Sequence, residues 1–474
     1  MTGLAFDTGL VLTLFNWSVR LVMLVYVPQR RSAAAARTWL LMIFLLPIPG
    51  LILYMIIGRI YVPRWRVGRQ RRASQVIREA QRELSRPEAE VPVHLRDVAR
   101  MVKGLGDFPV WAGNRIELMR DYDECISRLI ADIDGARETA HLLTYIFQND
   151  ATGRRVADAL TRAAGRGVTC RVLMDDVGSK GGLRGLAPAL RAAGVAVTAA
   201  LPARLLRRAE KAARFDLRNH RKIAVLDGCV AHTGSQNIAD AEFVKGFPNE
   251  ELVARVTGPV VAQLQAVFLE DWYFETSEIL RVELFPELPD TGTSAAQVLP
   301  SGPGYRRQNA YELIVHLLHE AESRIVITTP YFVPDEPFLL GLQAAVVRGV
   351  DTHLIVAEQE DQLLSSLAQR SHYEALLEAG VKIHQYRPRF LHAKHLTIDS
   401  HVALISSINM DIRSFALNAE VGLLVYDAEV VAAVRRVQEH YLANATTLNL
   451  KEWRSRPAHT RVAQNLARLA DSLL

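Results

Sequence analysis

Cysteine is scarce in this chain, and its spacing gives no sign of a bound metal. The 474 residues contain three cysteines, Cys125, Cys170 and Cys229, which are far apart and form no C-x-x-C pair. An odd number of widely separated cysteines supports neither a disulfide framework nor a zinc site. We therefore expect a protein that faces a reducing compartment and holds no resident metal.

Acidic residues are fewer than basic ones, although the excess is small. The chain has 56 Lys and Arg against 51 Asp and Glu, a formal net charge of +5 and a pI of about 9.1. A basic protein favours phosphate-bearing partners, which are either nucleic acids or anionic membranes, and charge alone does not choose between them. The length suggests two to three domains.

Charged residues are almost missing from two long apolar runs near the start of the chain. Residues 9–27 are interrupted only by Arg20, and residues 38–58 contain no charge. Each run is about as long as a bilayer is thick. A cleavable signal peptide fits poorly, because no basic stretch precedes the first run and a second run follows it. Neither run has the polar face of an amphipathic helix, so residues 1–60 predict a membrane anchor of two transmembrane helices.

The sequence PIPG at 47–50 interrupts the second run at its middle. Proline and glycine there favour a kinked span, with a re-entrant hairpin as the alternative. Positive charge collects on the cytoplasmic side of membranes, so the arginines after this run place the rest of the chain in the cytoplasm. The connector between the runs opposes this with three arginines of its own. Residues 61–109 read as a basic, amphipathic linker. The arginines after the second run are Arg59, Arg64, Arg66, Arg69, Arg71, Arg72 and Arg78.

From about residue 110 the chain alternates strands with helices, and it does so twice. A strand–helix–strand pattern predicts a βαβ unit in each half. An internal repeat of this length indicates two similar α/β halves, 110–290 and 291–474, and such duplications often build one site at their interface. The predicted elements cover 139–147, 153–167 and 168–176 in the first half, and 323–332, 337–349 and 350–358 in the second.

One motif, H-x-K-x4-D, occurs once in each half, and the two copies lie 172 residues apart. A single copy has a simple alternative, a charged edge strand that resists aggregation. Two copies at the repeat length, each followed by a serine and an asparagine at the same offsets, make that alternative improbable. The motif residues are His220, Lys222 and Asp227, then His392, Lys394 and Asp399; the trailing residues are Ser235 and Asn237, then Ser407 and Asn409.

Hairpin geometry predicts which of these side chains share a face. A two-residue turn at Asp227-Gly228 would place His220 opposite Ser235, and the second half repeats this arrangement. Histidine, lysine, serine and asparagine would then gather on one face of each hairpin, because side chains alternate along a strand. The aspartate of each motif lies in the turn, and by the same alternation its side chain would point to the opposite face. We therefore expect its role to be mainly structural.

Such a pair of half-sites suits chemistry at a phosphodiester. Two histidines at an interface can divide the roles of nucleophile and general acid, while lysines and asparagines donate to the phosphate oxygens, where charge builds up. Each half also carries N-x-E before an apolar strand. Its glutamates, Glu251 and Glu420, would orient the imidazoles, although an ordinary charge at a strand edge is an equal alternative.

The paired motifs with G-S-x-N resemble the phospholipase D superfamily. The anchor RRSAAAARTWLLMIFLLPIPGLILYMIIGR, the strands YIF and PYFVPD, and FLHAKHLTID with INMDIRSFALNAE resemble bacterial cardiolipin synthases of that type. The resemblance implies two α/β halves related by a pseudo-two-fold axis, mixed sheets flanked by helices, and N-terminal transmembrane helices. It also implies that the histidines, lysines and aspartates of both motifs are catalytic. One departure is Ser406, where the family's usual glycine is kept in the first half as Gly234; we expect it to tighten the phosphate pocket.

The family's reaction joins two phosphatidylglycerols into cardiolipin and glycerol through a phosphohistidine, without metal or nucleotide, at the bacterial inner membrane. We assign the nucleophile to His220. Phosphatidylglycerol and anionic membrane lipid are then the expected partners, and nucleic acid is not. The alternatives are a lipid hydrolase, transfer to another alcohol such as ethanolamine, and a membrane-anchored lipid-binding scaffold. Two further segments are amphipathic. Residues 201–215 predict a solvated surface helix, with a helix that lies on an anionic membrane as the alternative, and residues 461–474 predict a helix packed on the body.

Overall fold

The computed structural model shows an α/β protein in which helices pack on both faces of one large mixed sheet. It describes residues 8–31, 33–58, 64–83, 86–202, 216–242, 246–280, 285–286, 288–305, 307–359 and 361–469. The predicted segment 201–215 falls almost wholly outside the described residues, as do the last five residues of the predicted C-terminal helix.

Twenty strands occur in the described residues. In the first half they are β1 (Trp111–Met119), β2 (Thr139–Thr144), β3 (Thr169–Asp175), β4 (Ala196–Ala200), β5 (Arg218–Asn219), β6 (Ile223–Leu226), β7 (Val230–Gly234), β8 (Asn249–Glu250) and β9 (Val253–Thr257). In the second half they are β10 (Ser294–Ser301), β11 (Arg324–Thr328), β12 (Phe332–Val333), β13 (Asp351–Ala357), β14 (Lys382–Tyr386), β15 (Phe390–Leu391), β16 (His395–Ile398), β17 (Val402–Ser406), β18 (Met410–Asp411), β19 (Asn418–Val425) and β20 (Ala445–Thr447).

The described helices fall into an N-terminal group and those of the two halves. The first group is α1 (Thr8–Tyr26), α2 (Ala33–Leu45), α3 (Pro47–Leu53), which continues as a π-helical turn over Tyr54–Gly58, α4 (Arg64–Glu83) and α5 (Arg96–Gly106), which follows a 3-10 turn at Val93–Leu95. The others are α6 (Tyr122–Gly135), α7 (Ala151–Gly165), α8 (Lys180–Gly185), α9 (Ala187–Ala192), α10 (Val261–Thr276), α11 (Asn309–Glu320), α12 (Glu336–Val347), α13 (Leu363–Ser371), α14 (Tyr373–Ala379), α15 (Ile412–Ala416), α16 (Ala428–Ala443), α17 (Leu450–Arg454) and α18 (Ala458–Arg468).

The strand order repeats between the halves. Across the sheet the order is β20-β14-β13-β11-β16-β17-β19-β10-β1-β9-β7-β6-β2-β3-β4. Strands β10 and β1 pair antiparallel in the middle. Read outward from that pair, β1-β9-β7-β6-β2-β3-β4 matches β10-β19-β17-β16-β11-β13-β14 strand for strand. The internal repeat predicted from the sequence is therefore visible in the sheet.

Helices cover the sheet on both faces, which explains why the motif strands are apolar. In β6, Ile223 and Val225 pack in one hydrophobic cluster with residues of α10, while Ala224 and Leu226 pack in another with residues of α6 and α7. Side chains alternate across the sheet, and all four are buried. The motif strands are thus interior strands, and the aggregation-resistant edge strand is excluded.

The predicted hairpin register is wrong by one residue. Strands β6 and β7 pair Leu226 with Val230, so the loop has three residues, and β16 and β17 repeat this pattern. Asp227 and Gly228 both adopt positive φ, 51° and 64°, as such a tight loop requires. His220 precedes β6 and lies outside the paired strands, so the predicted facing of His220 and Ser235 does not occur.

Of the two apolar runs, the first forms a helix of spanning length. Among the described residues, α1 is the one helix both long and apolar enough to cross a membrane. The second run is broken into α2 and α3, because two prolines and a glycine follow Leu46. A Cβ on Gly50 would lie 2.9 Å from the Cα of Ile43, whereas seven residues of straight helix rise about 10.5 Å. The two pieces therefore fold back on each other, which is closer to the re-entrant alternative than to the favoured kinked span.

Candidate active site

Each histidine motif is held by a strand of the other half. Strand β5 runs parallel to the start of β19, and β15 runs parallel to β8. The N–H of His220 donates to the carbonyl of Ala419 at 2.8 Å, and the N–H of His392 donates to the carbonyl of Glu250 at 2.9 Å. The two motifs therefore meet at the interface between the halves.

The side-chain contacts of the histidines also cross that interface. His220 Nδ1 lies 3.0 Å from Glu420 Oε2, and His392 Nδ1 lies 2.7 Å from Glu251 Oε1. Both glutamates are fully buried. An imidazole that donates from Nδ1 to a carboxylate presents Nε2 to a substrate. The contact is what the predicted supporting role of the glutamates requires, but sequence reasoning did not foresee that each glutamate serves the opposite half.

Burial dominates the electrostatics of these pairs, and the two glutamates differ. Burial raises the pKa of Glu420 to about 7, with Lys222 opposing the shift. Burial acts on Glu251 in the same direction, but its contact with His392 and neighbouring donors outweighs burial and lowers the pKa to about 2. Burial also lowers the pKa of both histidines, that of His220 well below its usual value, while Glu251 opposes the shift at His392. His392 is therefore the better placed of the two to carry a proton.

Each lysine folds back onto the histidine of its own motif. Lys222 Nζ donates to the carbonyl of His220 at 2.7 Å, and Lys394 Nζ donates to the carbonyl of His392 at 2.6 Å. Burial lowers the pKa of Lys222 to about 7, reinforced by Lys394, and that of Lys394 to about 8, opposed by its carboxylate neighbours. The ring of Tyr145 packs 4.8 Å from the His220 ring and 5.3 Å from Lys222 Nζ.

The KM for an anionic phosphodiester should rise as pH increases from about 6 to about 9. A lysine is cationic below its pKa, and burial lowers the pKa of Lys222 to about 7. The cation that we expect to hold the phosphate is thus lost on the alkaline side. Steady-state KM values across this range test the expectation. In Lys222→Met the KM should be high already at low pH and its dependence on pH weaker; a wild-type KM that stays constant would contradict the assignment.

The histidines open into a cavity of about 460 Å³ between the halves. Tyr145 and Tyr331 line it from the segments that follow β2 and β11, at positions that differ by one residue in the repeat. Both lie in the YIF and PYFVPD stretches that carried the family resemblance. Arg218 and Arg413 add two cations to the lining, and nothing in the sequence marked them. Among the described residues no group of three or more His, Cys, Asp or Glu side chains is arranged to hold a metal ion.

The asparagines after each motif reach this cavity, as do two that the N-x-E repeat had marked. Asn237 and Asn409 line it, with Asn237 Oδ1 accepting from a backbone N–H at 3.2 Å. Asn249 and Asn418 line it too, and their amide nitrogens lie 3.3 Å and 3.4 Å from the glutamate two residues further on. Each of these two therefore helps to fix the carboxylate that contacts the opposite histidine.

The serines Ser235 and Ser407 bind protein groups instead. Ser407 Oγ donates to Glu420 Oε2 and accepts from the N–H of Val421 at 3.0 Å. Ser235 Oγ accepts from the N–H of Leu252 at 3.0 Å. Both serines are fully buried and neither lines the cavity. The phosphate contact predicted for them rested on the two-residue turn, and with the observed register the geometry gives it no support.

Asp227 and Asp399 bind the backbone far from the cavity. The carboxylate of Asp227 accepts from the N–H groups of residues 137, 138 and 139, and that of Asp399 from those of residues 322, 323 and 324. Neither side chain lines the cavity. The structural role inferred from the turn position fits this geometry, whereas the direct catalytic role implied by the resemblance does not.

Asp399→Ala should destabilise the fold while leaving the chemistry of folded molecules intact. The loss should be on the order of 3 kcal/mol, because each N–H left without an acceptor costs about 1–3 kcal/mol. Thermal unfolding in detergent measures the loss, and kcat per folded molecule serves as the second readout. A folded Asp399→Ala protein with kcat reduced more than about a hundredfold would restore a catalytic role.

The departure at Ser406 is compensated on the neighbouring strand. Gly234 pairs with Val253 of β9, whereas Ser406 pairs with Gly422 of β19. In the second half the glycine is therefore on the partner strand. A Cβ at Gly234 would lie 2.3 Å from a backbone oxygen. Ser406 is buried and its hydroxyl accepts from the N–H of Ile408 at 3.2 Å. It does not line the cavity, so the predicted tightening of the phosphate pocket has no support in the geometry.

Arg221, between the histidine and the lysine of the first motif, ties the two halves together. Its guanidinium lies 2.7 Å from the carboxylate of Asp271 in α10, and its Nε donates to the carbonyl of Glu420 at 3.0 Å. All three residues are buried. A buried ion pair with further hydrogen bonds fixes geometry more than it adds stability, and here it fixes the backbone that carries His220.

Both halves match one family of known proteins. The family model described as cardiolipin synthase, PLD-like domain, covers residues 129–272 and 314–442, one segment in each half. The chain belongs to this family. Cardiolipin synthase A of Pectobacterium carotovorum subsp. carotovorum (strain PC1) is 34% identical over 461 residues, with 92% of each chain covered. Cardiolipin synthase A of Yersinia pseudotuberculosis serotype IB (strain PB1/+) is 33% identical over 455 residues, with the same coverage.

A solved structure also shares the fold of this cardiolipin synthase family member. The crystal structure of phosphatidylserine synthase from Haemophilus influenzae Rd KW20 aligns with a TM-score of 0.61 and 16% identity. The alignment covers 80% of this chain and 100% of that one. At this identity the likeness concerns the fold alone, and the family match rests on the relatives above.

Proposed function

We propose that this protein joins two phosphatidylglycerol molecules into cardiolipin and releases glycerol. The arrangement of two histidine–glutamate pairs crossing the interface at one cavity carries the proposal, because it supplies a nucleophile and a proton donor to the same phosphorus. Relatives named cardiolipin synthase A, matched over 92% of the chain, support the choice of product. The reaction uses side chains of this chain alone and needs no metal or nucleotide.

The first step transfers the phosphatidyl group to the enzyme. His220 Nε2 attacks the phosphorus of the donor, an N–P bond forms, and the bond from phosphorus to the glycerol oxygen breaks. His392 gives that oxygen its proton, so neutral glycerol leaves. Lys222 and Lys394 balance the charge on the non-bridging oxygens.

The second step runs in the reverse sense. A hydroxyl of the second phosphatidylglycerol loses its proton to His392 and attacks the phosphorus. The N–P bond breaks, cardiolipin forms, and His220 returns to its neutral state. Burial lowers the pKa of His220 well below its usual value, which supports its assignment as nucleophile. Glu251 opposes that lowering at His392, which supports His392 as the proton carrier.

The lining of the cavity suits two phosphodiesters that carry hydroxyl groups. Arg218, which is paired with Asp175, and Arg413 line the cavity and offer cations for a second phosphate. The two lysines do not line it and lie beside the histidines, each bonded to a histidine carbonyl. The amide oxygens of Asn249, Asn409 and Asn418 are buried and have no hydrogen-bond partner among the described residues, so glycerol hydroxyls would donate to them. Lipid hydrolysis and transfer to another alcohol use the same first step and remain the alternatives; nucleic acid is not an expected substrate.

We further propose how the chain is organised at the bacterial inner membrane. Residues 1–60 anchor it, with α1 as the spanning helix and residues 38–58 as a re-entrant segment. Residues 61–109 link the anchor to the body, and residues 110–290 and 291–474 form halves related by a pseudo-two-fold axis. The repeated strand order supports the last point. The arginines after the second apolar run support a cytoplasmic body.

Product analysis tests the proposed function. Purified full-length protein is incubated with phosphatidylglycerol labelled in the terminal glycerol and, separately, in the phosphate. Cardiolipin with one free glycerol per molecule formed is the expected result. Phosphatidic acid as the main product would show a hydrolase instead. Added ethanolamine tests the remaining alternative, transfer to another alcohol. An enzyme of that kind would form more phosphatidylethanolamine than cardiolipin.

A further inference from the structure

Helix α18 has its apolar face turned away from the body. Gln464 and Ala467 are buried and face the protein, where Ala467 packs with Ala368 of α13. At about 100° per residue, Val462 and Leu466 lie on the opposite side of the helix. Both are exposed, Leu466 by 61%. A helix that packs on a protein normally buries its apolar stripe, so this stripe lacks the partner that its chemistry requires.

Helix α13, against which α18 packs, begins at the mouth of the catalytic cavity. Gln362 and Ser365 line the cavity, and between them Leu363 and Leu364 are exposed, Leu363 by 68%. On the other half, Val177 lines the cavity and is itself exposed. The mouth is thus bordered by apolar side chains on both halves. Apolar groups around a cavity entrance mark an interaction site more often than isolated exposed leucines do.

The linker helix that follows the apolar runs is connected to the cavity through the first half. Arg66, near the start of α4, lies 2.7 Å from Glu275, whose carboxylate accepts from the N–H of Leu201 at 3.2 Å. The carbonyl of Leu201 accepts from Arg218 at 3.2 Å, and Arg218 lines the cavity. A chain of three hydrogen bonds therefore links the start of α4, the end nearest the proposed anchor, to the first-half wall of the cavity.

We propose that the second half has its own membrane contact, a docking surface made of Leu363, Leu364, Val462, Leu466 and Leu469, which rests on a bilayer that contains anionic lipid. Charge favours this occupant, since α18 contains Arg461 and Arg468 and no acidic residue. An amphipathic helix with arginines beside its apolar face binds anionic interfaces. Helix α4 connects the first half to the membrane anchor. With the second half also on the membrane, the cavity mouth would face the lipid from which the substrate enters. The inference rests on the proposed function.

The test compares one variant on two forms of the substrate. Val462→Gln/Leu466→Gln in the full chain, reconstituted in vesicles that contain phosphatidylglycerol, should make cardiolipin roughly tenfold more slowly than wild type or slower still. With dihexanoyl phosphatidylglycerol in solution and vesicles of phosphatidylcholine, the two proteins should be equal. The matched control is Val347→Gln. Val347 is 87% exposed at the end of α12. It precedes β13, whereas the cavity residues follow β11 and β13, so it lies at the opposite end of the strands from the mouth. Its replacement should change neither rate.

A label gives a readout that does not depend on activity. Cys229 is exposed and is replaced by serine, while Cys125 and Cys170 are buried. A nitrobenzoxadiazole group on Leu466→Cys should be quenched by doxyl lipids in the vesicles, and the same group on Val347→Cys should not.

Equal quenching at the two sites would overturn the docking surface, as would equal loss of both rates or a change of oligomeric state in the glutamine variant. If wild type forms no cardiolipin from either substrate, the proposed function has failed. Quenching at position 466 alone would then still support the docking surface.

Discussion

His220→Ala should abolish phosphatidyl transfer, with kcat falling by about 10⁶, and His392→Ala should lower it by about 10²–10⁴. The difference follows from the proposed roles. Without His220 no covalent intermediate forms, whereas without His392 the reaction loses a proton donor but keeps its nucleophile. Both imidazoles contact the glutamate of the opposite half, so each is held in its own position. Cardiolipin formation from labelled phosphatidylglycerol measures both variants.

A buried histidine close in sequence provides the control. His395 follows Lys394 directly, is fully buried, and its Nδ1 lies 3.2 Å from the amide of Gln438 in α16, away from the cavity. His395→Asn should lower stability but keep kcat per folded molecule within a few-fold of wild type. Full activity in both His220→Ala and His392→Ala would show that the chemistry takes place elsewhere.

Glu251→Gln should reduce kcat by about 10²–10⁴, more than Glu420→Gln does. Interactions with His392 and its neighbours lower the pKa of Glu251 to about 2, so it is a full negative charge beside the proton donor. Burial raises the pKa of Glu420 to about 7, so its replacement by a neutral amide removes less charge near neutral pH. Steady-state rates of the two variants at pH about 7 test the ranking.

The pH profile of Glu251→Gln supplies a second readout. Glu251 raises the pKa of His392 against the effect of burial. Without that charge the pKa of His392 falls, and the protonated donor is lost at lower pH. The alkaline limb of kcat should therefore move to lower pH in Glu251→Gln. Equal effects of the two glutamine variants, with no movement of the limb, would contradict the division of roles.

The duplication and the pairing of the half-sites could be read from the sequence. Spacing is preserved between the copies, and the strand–helix–strand units are local patterns. The structure places β2, α7 and β3, and then β11, α12 and β13, within a few residues of the predicted spans. Both first strands end earlier than predicted, at or next to a threonine, Thr144 or Thr329, whose side chain bonds the carbonyl two residues on.

The contacts that cross the halves could not be read in the same way. His220 and Glu420 are 200 residues apart, and no spacing rule says which half supplies a carboxylate. The hairpin argument failed for a related reason. A two-residue turn was the best local choice, but Asp227 accepts three backbone N–H groups from residues around the start of β2, and this tertiary contact fixes a three-residue loop. With that loop His220 is no longer opposite Ser235, and the serines bind buried protein groups instead of lining the cavity.

Trapping the covalent intermediate is the most direct measurement of the central claim, that one histidine carries the phosphatidyl group while the other moves the proton. The protein is mixed with phosphatidylglycerol labelled in the phosphate, quenched with alkali within one turnover, digested, and its labelled peptides are sequenced by mass spectrometry. We expect alkali-stable, acid-labile label on the peptide that contains His220, and none in His220→Ala. Label on the His392 peptide would reverse the two roles, and the absence of any covalent label would contradict the account.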